Sequence, residues 1–313
     1  MSCNKEIGGY FGIECGHVPS YHKNGILLNS GRNALRHIVR TLQIREIYLP
    51  FYTCPVVHEA VRKENCKIVF YEINQDFIPV ETFPPKAFIV YNNYWGVCGK
   101  QVQKMAAEYS NLIVDNAQSF YSDPRGRASF YSPRKFFGVP DGGIICSNDC
   151  VECGYPEDVS SDQRCSHLLT RPLRGAQAGY ADFCKNDAAM ENFDIMKMSS
   201  LTRAIMGNID YQSIRECRLA NFYTLHRLLE PEKQWNLAPD DVPMVYPYFT
   251  DDTELRDYLI KHKIFTAFYW PGIDSRCVTL RSRILSLPLD QRYGAEDMEY
   301  IVRVIKNKEK SLC

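Results

Sequence analysis

Between about residues 26 and 150 the chain alternates between two hydrophobic periods, and this alternation constrains the fold more than any other feature. Short apolar runs at 47–49, 67–71, 87–91 and 112–114 read as buried strands. Segments with a 3.6-residue period separate them, at 31–43, 55–64 and 100–109. In the first of these, Ala34, Leu35, Ile38, Val39 and Leu42 share one face, and Ser30 is placed to cap the helix. Phe130 and the run 143–146 suggest two further strands. Strands that alternate with helices cannot pair through tight hairpins, so they build a mostly parallel central sheet covered by helices, an α/β fold.

After about residue 150 the pattern changes. Residues 150–162 are polar and loop-like, 163–230 are mostly helical with a long candidate at 211–229, and a stretch holding Pro231, Pro239, Pro243 and Pro247 leads into a smaller unit. The last helix is expected after Gly294, with Met298, Ile301, Val302 and Ile305 on one face. The expected organisation is an N-terminal segment 1–25, a large domain 26–205 and a small C-terminal α+β domain 206–313, a division that 313 residues can support.

Lys plus Arg equals Asp plus Glu at 37 each, which excludes a nucleic-acid or membrane-surface partner bound by bulk charge. The 13 cysteines are odd in number and irregularly spaced, and the first ten residues lack a long apolar run. A cytoplasmic, reducing location with free thiols is therefore expected. Cys150 and Cys153 form one CxxC without a second pair, and no standard zinc spacing is completed, so no metal is expected.

Ligands of an open parallel sheet bind beyond the carboxyl ends of its strands. Those ends deliver Phe51, Tyr52 and Thr53, then Asn92 to Gly96, then Asp115 to Gln118. Ser30-Gly31-Arg32-Asn33 opens the first helix, where a glycine and free amides suit a phosphate, although any ordinary capped helix starts in the same way. Asp115 either caps the following turn or faces a cationic ring nitrogen. Lys135 lies in the aromatic, glycine-rich segment Ser129-Phe130-Tyr131-Ser132-Pro133-Arg134-Lys135-Phe136, which is an unusual setting for a merely solvated lysine. A lysine amine near another cation is readied to form imines.

The order Ser30-Gly31-Arg32, Asp115-x-Ala117-Gln118, then an aromatic Lys135 segment running into Gly142-Gly143, resembles the DegT/DnrJ/StrS family of fold-type-I, pyridoxal-phosphate (PLP)-dependent sugar aminotransferases. The C-terminal pattern agrees, through Tyr211 to Phe222, Leu255 to Leu259, Trp270-Pro271, Leu285 to Leu289 and Tyr293 to Met298. The resemblance implies that Lys135 carries the cofactor as a Schiff base and later moves the proton. It implies Asp115 at the pyridine nitrogen, Gln118 near the phenolic oxygen, and Ser30, Gly31 and Arg32 at the phosphate. The family's phosphate serine falls on Phe130 here, flanked by Ser129 and Ser132, which both stay candidates. The position of a ring-stacking aromatic is Cys54, with Tyr52 nearby. The implied reaction moves an amino group from an amino acid, glutamate by family analogy, to a nucleotide-linked keto-sugar in polysaccharide or glycoconjugate synthesis. A homodimer is implied as well. A PLP-dependent sugar dehydratase and a non-catalytic PLP-binding sensor or scaffold are the alternatives; the dehydratases of the group carry histidine where Lys135 stands.

Overall fold

The computed structural model describes residues 8–14, 16, 18–270 and 283–310. The alternating region folds as β1 (Ile26–Leu28), α1 (Gly31–Thr41), β2 (Glu46–Pro50), α2 (Pro55–Lys63), β3 (Lys67–Tyr71), β4 (Ile89–Asn92), α3 (Gly99–Glu108), β5 (Leu112–Asn116), β6 (Ala128–Tyr131) and β7 (Gly143–Cys146). The seven strands form one sheet in the order β1-β7-β6-β5-β4-β2-β3. All neighbours are parallel except around β7, which runs antiparallel to both β6 and β1. Strand order reverses between β2 and β4, the place where such sheets open a ligand crevice.

Both faces of the sheet are packed, as the near-continuous apolar strands require. On one face Ala34, Leu35 and Ile38 of α1 meet Ile47, Leu49, Val90, Ile113 and Phe130. On the other, Tyr91, Val114 and Tyr131 pack with Val102 and Met105 of α3 and with residues further along the chain. Each Val, Leu, Ile, Phe or Met among them, fully buried, contributes about 1.5–3 kcal/mol of hydrophobic stabilisation. Ser30 caps α1 as the sequence indicates, its side chain accepting the Asn33 amide at 3.2 Å.

The helical stretch resolves into α4 (Ser166–Arg174), α5 (Ala176–Ala189), α6 (Ser200–Met206) and α7 (Tyr211–Leu229). The C-terminal unit holds β8 (Tyr246–Thr250), α8 (Leu255–Lys261), β9 (Ala267–Phe268), β10 (Arg283–Leu287) and α9 (Ala295–Lys310). Its three strands are antiparallel in the order β8-β10-β9. Met298, Ile301, Val302 and Ile305 form the buried stripe of α9, the face that the periodicity defines. Of the Trp270-Pro271 pair, Trp270 is buried and Pro271 lies outside the described residues. The α4–α5 hairpin is packed differently. No residue of α4 is buried, and Leu173 is 82 % and Tyr180 65 % exposed.

Candidate active site

The carboxyl ends of β4, β5 and β6 lie side by side. Asn92 is in register with Asp115, and Asp115 with Phe130. Because side chains alternate along a strand, Asp115 shares the face of Ile113, the face covered by α1 and α2. Its carboxylate is buried and accepts the Ala117 amide at 2.8 Å. Burial pushes the Asp115 carboxyl above its usual range, while the Lys135 ammonium and that amide pull it back down. Asp115 and the turn that bears Lys135, twenty residues on, thus lie at the adjoining ends of β5 and β6.

Lys135 ends a short 3-10 turn, Pro133–Lys135, that follows β6 directly, and its side chain is exposed. Its amide donates to the Ser132 carbonyl at 3.1 Å. Arg134 turns away from it and pairs with Asp187 of α5 at 3.3 Å. Burial lowers the Arg134 guanidinium, Asp187 raises it, and Arg32 and Arg164 lower it further. Arg134 and Arg164 are each paired with an aspartate, Asp187 and Asp158 respectively.

Ser132 lies against that start. A side chain added to Gly31 would meet the Ser132 Cβ at 3.4 Å and its Oγ at 3.8 Å. The first amides of α1, at Gly31 and Arg32, have no carbonyl one turn earlier to bond to. A parallel bridge joins Ser30 to Gly142, and a Cβ on Gly143 would sit 2.2 Å from the Ser30 carbonyl oxygen. The glycine pair thus lets β7 press against the helix start. Ser129 stands elsewhere. It shares the pleat face of Tyr131, and its hydroxyl is fully buried, bonded to the Arg125 amide at 3.0 Å and carbonyl at 2.9 Å. Of the two flanking serines the structure brings only Ser132 to the helix start.

Gln118 holds the next turn. Its Oε1 accepts the Trp95 amide at 2.8 Å. Trp95 is at φ 49°, a left-handed conformation that costs a non-glycine residue energy and persists only when its surroundings fix it. The Met244 amide, donating to the Trp95 carbonyl at 2.8 Å, is the second tie. Tyr52 and Cys54 stand apart from a free stacking role. Tyr52 is buried edge-on against Trp270, at 4.8 Å between ring centres, and packs with Tyr94 and Trp95. Cys54 precedes Pro55 at the start of α2 and packs against both apolar cores.

Among the described residues, buried side-chain atoms without a hydrogen-bond partner include Gln118 Nε2, Arg32 Nη1 and Asn92 Oδ1. A buried donor left unpaired costs about 1–3 kcal/mol, so two donors and an acceptor at one rim point to a polar ligand. The donor set fits PLP: two guanidinium or amide donors, helix amides for a dianion, a buried carboxylate for a ring nitrogen and an amine for the aldehyde. A separate surface cavity of about 450 Å³, lined by Tyr21, Tyr121, Arg125, Tyr211 and Arg215, contains none of these residues.

Sequence reasoning assigned no role to Arg218, Gln291 or Asp141, although Arg218 falls within the Tyr211 to Phe222 pattern. Asp141 is buried before the glycine pair and accepts the Ser199 amide and hydroxyl at 2.8 and 2.7 Å, which ties α6 to the rim. Its position immediately ahead of Gly142-Gly143 was the available signal.

No protein-family model matches the chain, and no curated protein matches it. Solved structures do. A DegT DnrJ EryC1 StrS aminotransferase from Brucella abortus is 17% identical over 90% of this chain and 85% of its own, with a TM-score of 0.61. Spr1654 from Streptococcus pneumoniae, in its PLP form, is 12% identical over 92% and 88%, at 0.63. PseC from Helicobacter pylori, an aminotransferase involved in the biosynthesis of pseudoaminic acid, is 16% identical over 92% and 87%, at 0.59. The seven-stranded sheet, reversed only at β7, with a small C-terminal unit, is the fold of the type-I PLP-dependent aminotransferases. Within that class the chain has the fold of the DegT/DnrJ/EryC1/StrS sugar aminotransferases over about nine tenths of its length.

Proposed function

We propose that this protein is a PLP-dependent aminotransferase acting on a keto-sugar. The observation that carries the reading is the placement of buried Asp115 at the end of β5 beside β6 and the turn that bears Lys135, with the α1 start, Ser132 and Arg32 as an anion cradle at the same rim. The fold likeness supports the sugar-aminotransferase class.

PLP, when bound, supplies an electron sink at the carbon that loses its proton. Asp115 would hold a proton on the ring nitrogen, because an ionised carboxylate in a buried site stabilises a neighbouring cation strongly. Gln118, whose oxygen accepts the Trp95 amide, has its Nε2 donor left over and would serve the phenolic oxygen. Lys135 would attach the cofactor and, once displaced by the amino donor, take and return the proton at the substrate's α-carbon. Arg32, the α1 amides and Ser132 would hold the phosphate, so that the ring cannot leave with the product.

The donor is proposed to be glutamate and the acceptor a nucleotide-linked keto-sugar, used in polysaccharide or glycoconjugate synthesis. A cytoplasmic location agrees with the nine described cysteines, all unpaired. A homodimer is proposed on the exposed apolar face of α4–α5, where Leu169, Leu173 and Tyr180 stand in solvent.

The decisive experiment incubates the purified protein with PLP, reduces it with borohydride and maps the labelled peptide. Label on Lys135, together with conversion of the bound PLP to its amine form by glutamate, is the expected result. Label elsewhere would overturn the assignment of Lys135. Binding without conversion by any amino acid would favour the cofactor-binding sensor.

A further inference from the structure

Arg218 lies on α7, 83 residues beyond Lys135, and is 1 % exposed. All three nitrogens of its guanidinium donate. Nε donates to Gln291 Oε1 at 2.9 Å, Nη1 to the carbonyls of Pro243 at 3.2 Å and Met244 at 3.0 Å, and Nη2 to the carbonyl of Phe136 at 3.4 Å. The group also lies over the Phe136 ring at 4.5 Å. Gln291 adds a second donor to the same Phe136 carbonyl at 2.8 Å.

Phe136 is the residue after Lys135, so one end of the lysine's turn is gripped from α7 and from the loop before α9. A second thread leaves Arg218 through Met244. Its carbonyl accepts from Arg218, its amide donates to Trp95, and the Trp95 amide is held by Gln118. The first thread ends on the residue next to Lys135, and the second ends on Gln118.

Burying a guanidinium is costly unless its donors are matched, and a planar fork serves several carbonyls where an ammonium cannot. A well-packed apolar residue would fill this space more cheaply. Retaining an arginine whose partners are Phe136, Met244 and Gln291 is explained by what it positions.

We propose that Arg218 is a positioning residue that sets Lys135 and Gln118 in register with one another by fastening Phe136 and Met244 to one rigid group. Its hydrogen bonds go to neither Lys135 nor Asp115, and it acts through these two segments. The inference rests on the reading of Lys135 as the cofactor lysine.

The test compares wild type, Arg218→Lys, Gln291→Ala and Asn221→Ala. Asn221 is the control, since it donates to the Leu289 and Tyr293 carbonyls on the same helix face without touching Phe136. Two quantities are read: amide hydrogen exchange of residues 133–139 in protein without cofactor, and the fraction of Lys135 labelled by PLP and borohydride. Arg218→Lys is expected to speed exchange in 133–139 by about tenfold and to cut labelling by a similar factor, as loss of a charge-assisted hydrogen bond implies. Gln291→Ala moves both in the same direction and less far, which keeps the test open if Arg218→Lys does not fold. Asn221→Ala lowers thermal stability and leaves both readouts at wild-type values. Wild-type exchange and labelling in Arg218→Lys and Gln291→Ala would overturn the proposal. Absence of label on Lys135 in the wild type would instead overturn the cofactor reading, and the exchange data would still decide whether Arg218 holds the turn.

Discussion

Gly143→Ala is a one-methyl perturbation whose effect can be worked out from the structure. The added Cβ would lie 2.2 Å from the Ser30 carbonyl oxygen, 2.3 Å from its carbonyl carbon and 2.8 Å from the Gly31 nitrogen. Ordinary contact begins at 3.4 Å, so β7 and the start of α1 must separate by about 1 Å. All three obstacles are backbone atoms at the mouth of the anion cradle, and none can rotate aside. Overpacking of this kind costs about 1–3 kcal/mol of stability. The functional cost is larger in proportion, because a shift of about 1 Å in a positioning element can lower activity by about a hundredfold. The assay pairs urea unfolding with a visible-absorbance titration of PLP into the apoprotein. The expected result is a lower unfolding midpoint and PLP affinity weakened by one to two orders of magnitude. Gly154→Ala serves as the comparison, since its Cβ meets nothing within 4 Å, and it should behave as wild type. A Gly143→Ala protein that unfolds at the wild-type midpoint and binds PLP with wild-type affinity would refute the idea that β7 shapes the cradle.

Asp115→Asn removes the charge and keeps the shape; it should still fold and take PLP onto Lys135, while kcat falls about a hundredfold or more in single-turnover kinetics. Ser132→Ala is expected to weaken PLP affinity by about tenfold, whereas Ser129→Ala should leave affinity unchanged and lower the melting temperature, because its hydroxyl fastens the Arg125 backbone. Asp241 gives a pH dependence. Burial raises its carboxyl from 3.8 to about 7. The native chain then keeps a proton that the unfolded chain releases between those values, so stability falls as pH rises through that window, by up to about 4 kcal/mol at about 1.4 kcal/mol per pH unit. Asp241→Asn should flatten this slope in urea melts at pH 4.5 to 8. The Gly99 and Ala238 amides both donate to one Asp241 oxygen, which an asparagine carbonyl can replace.

The fold was legible where local pattern and tertiary burial agree. The apolar stripe of α1 faces the sheet because that is the only way to bury it, and the strand runs at β2 to β5 appear within two residues of their expected limits. Asp115, Lys135 and the α1 start were also legible, since each lies where a strand ends or a helix begins. The side of the chain that each serine faces was not. Reading only Phe130 as strand left the pleat unset, and the pleat of β6 is what sends Ser129 one way and Phe130 the other. The direction of β7 was equally hidden, because a four-residue apolar run looks the same in either sense. Arg218 and Gln291 reach Phe136 across 82 and 155 residues, and no local pattern encodes such a contact.

Trp95, one of three tryptophans, has no contact with solvent, and its amide is bonded to Gln118. Tyr52, Tyr94 and Phe77 surround its indole. Light absorbed by this cluster therefore has a short path to any chromophore seated beside Gln118. The molecule carries a built-in optical gauge of its own occupancy: emission excited in the indole should dim in step with loading of the rim, and no label need be attached to see it.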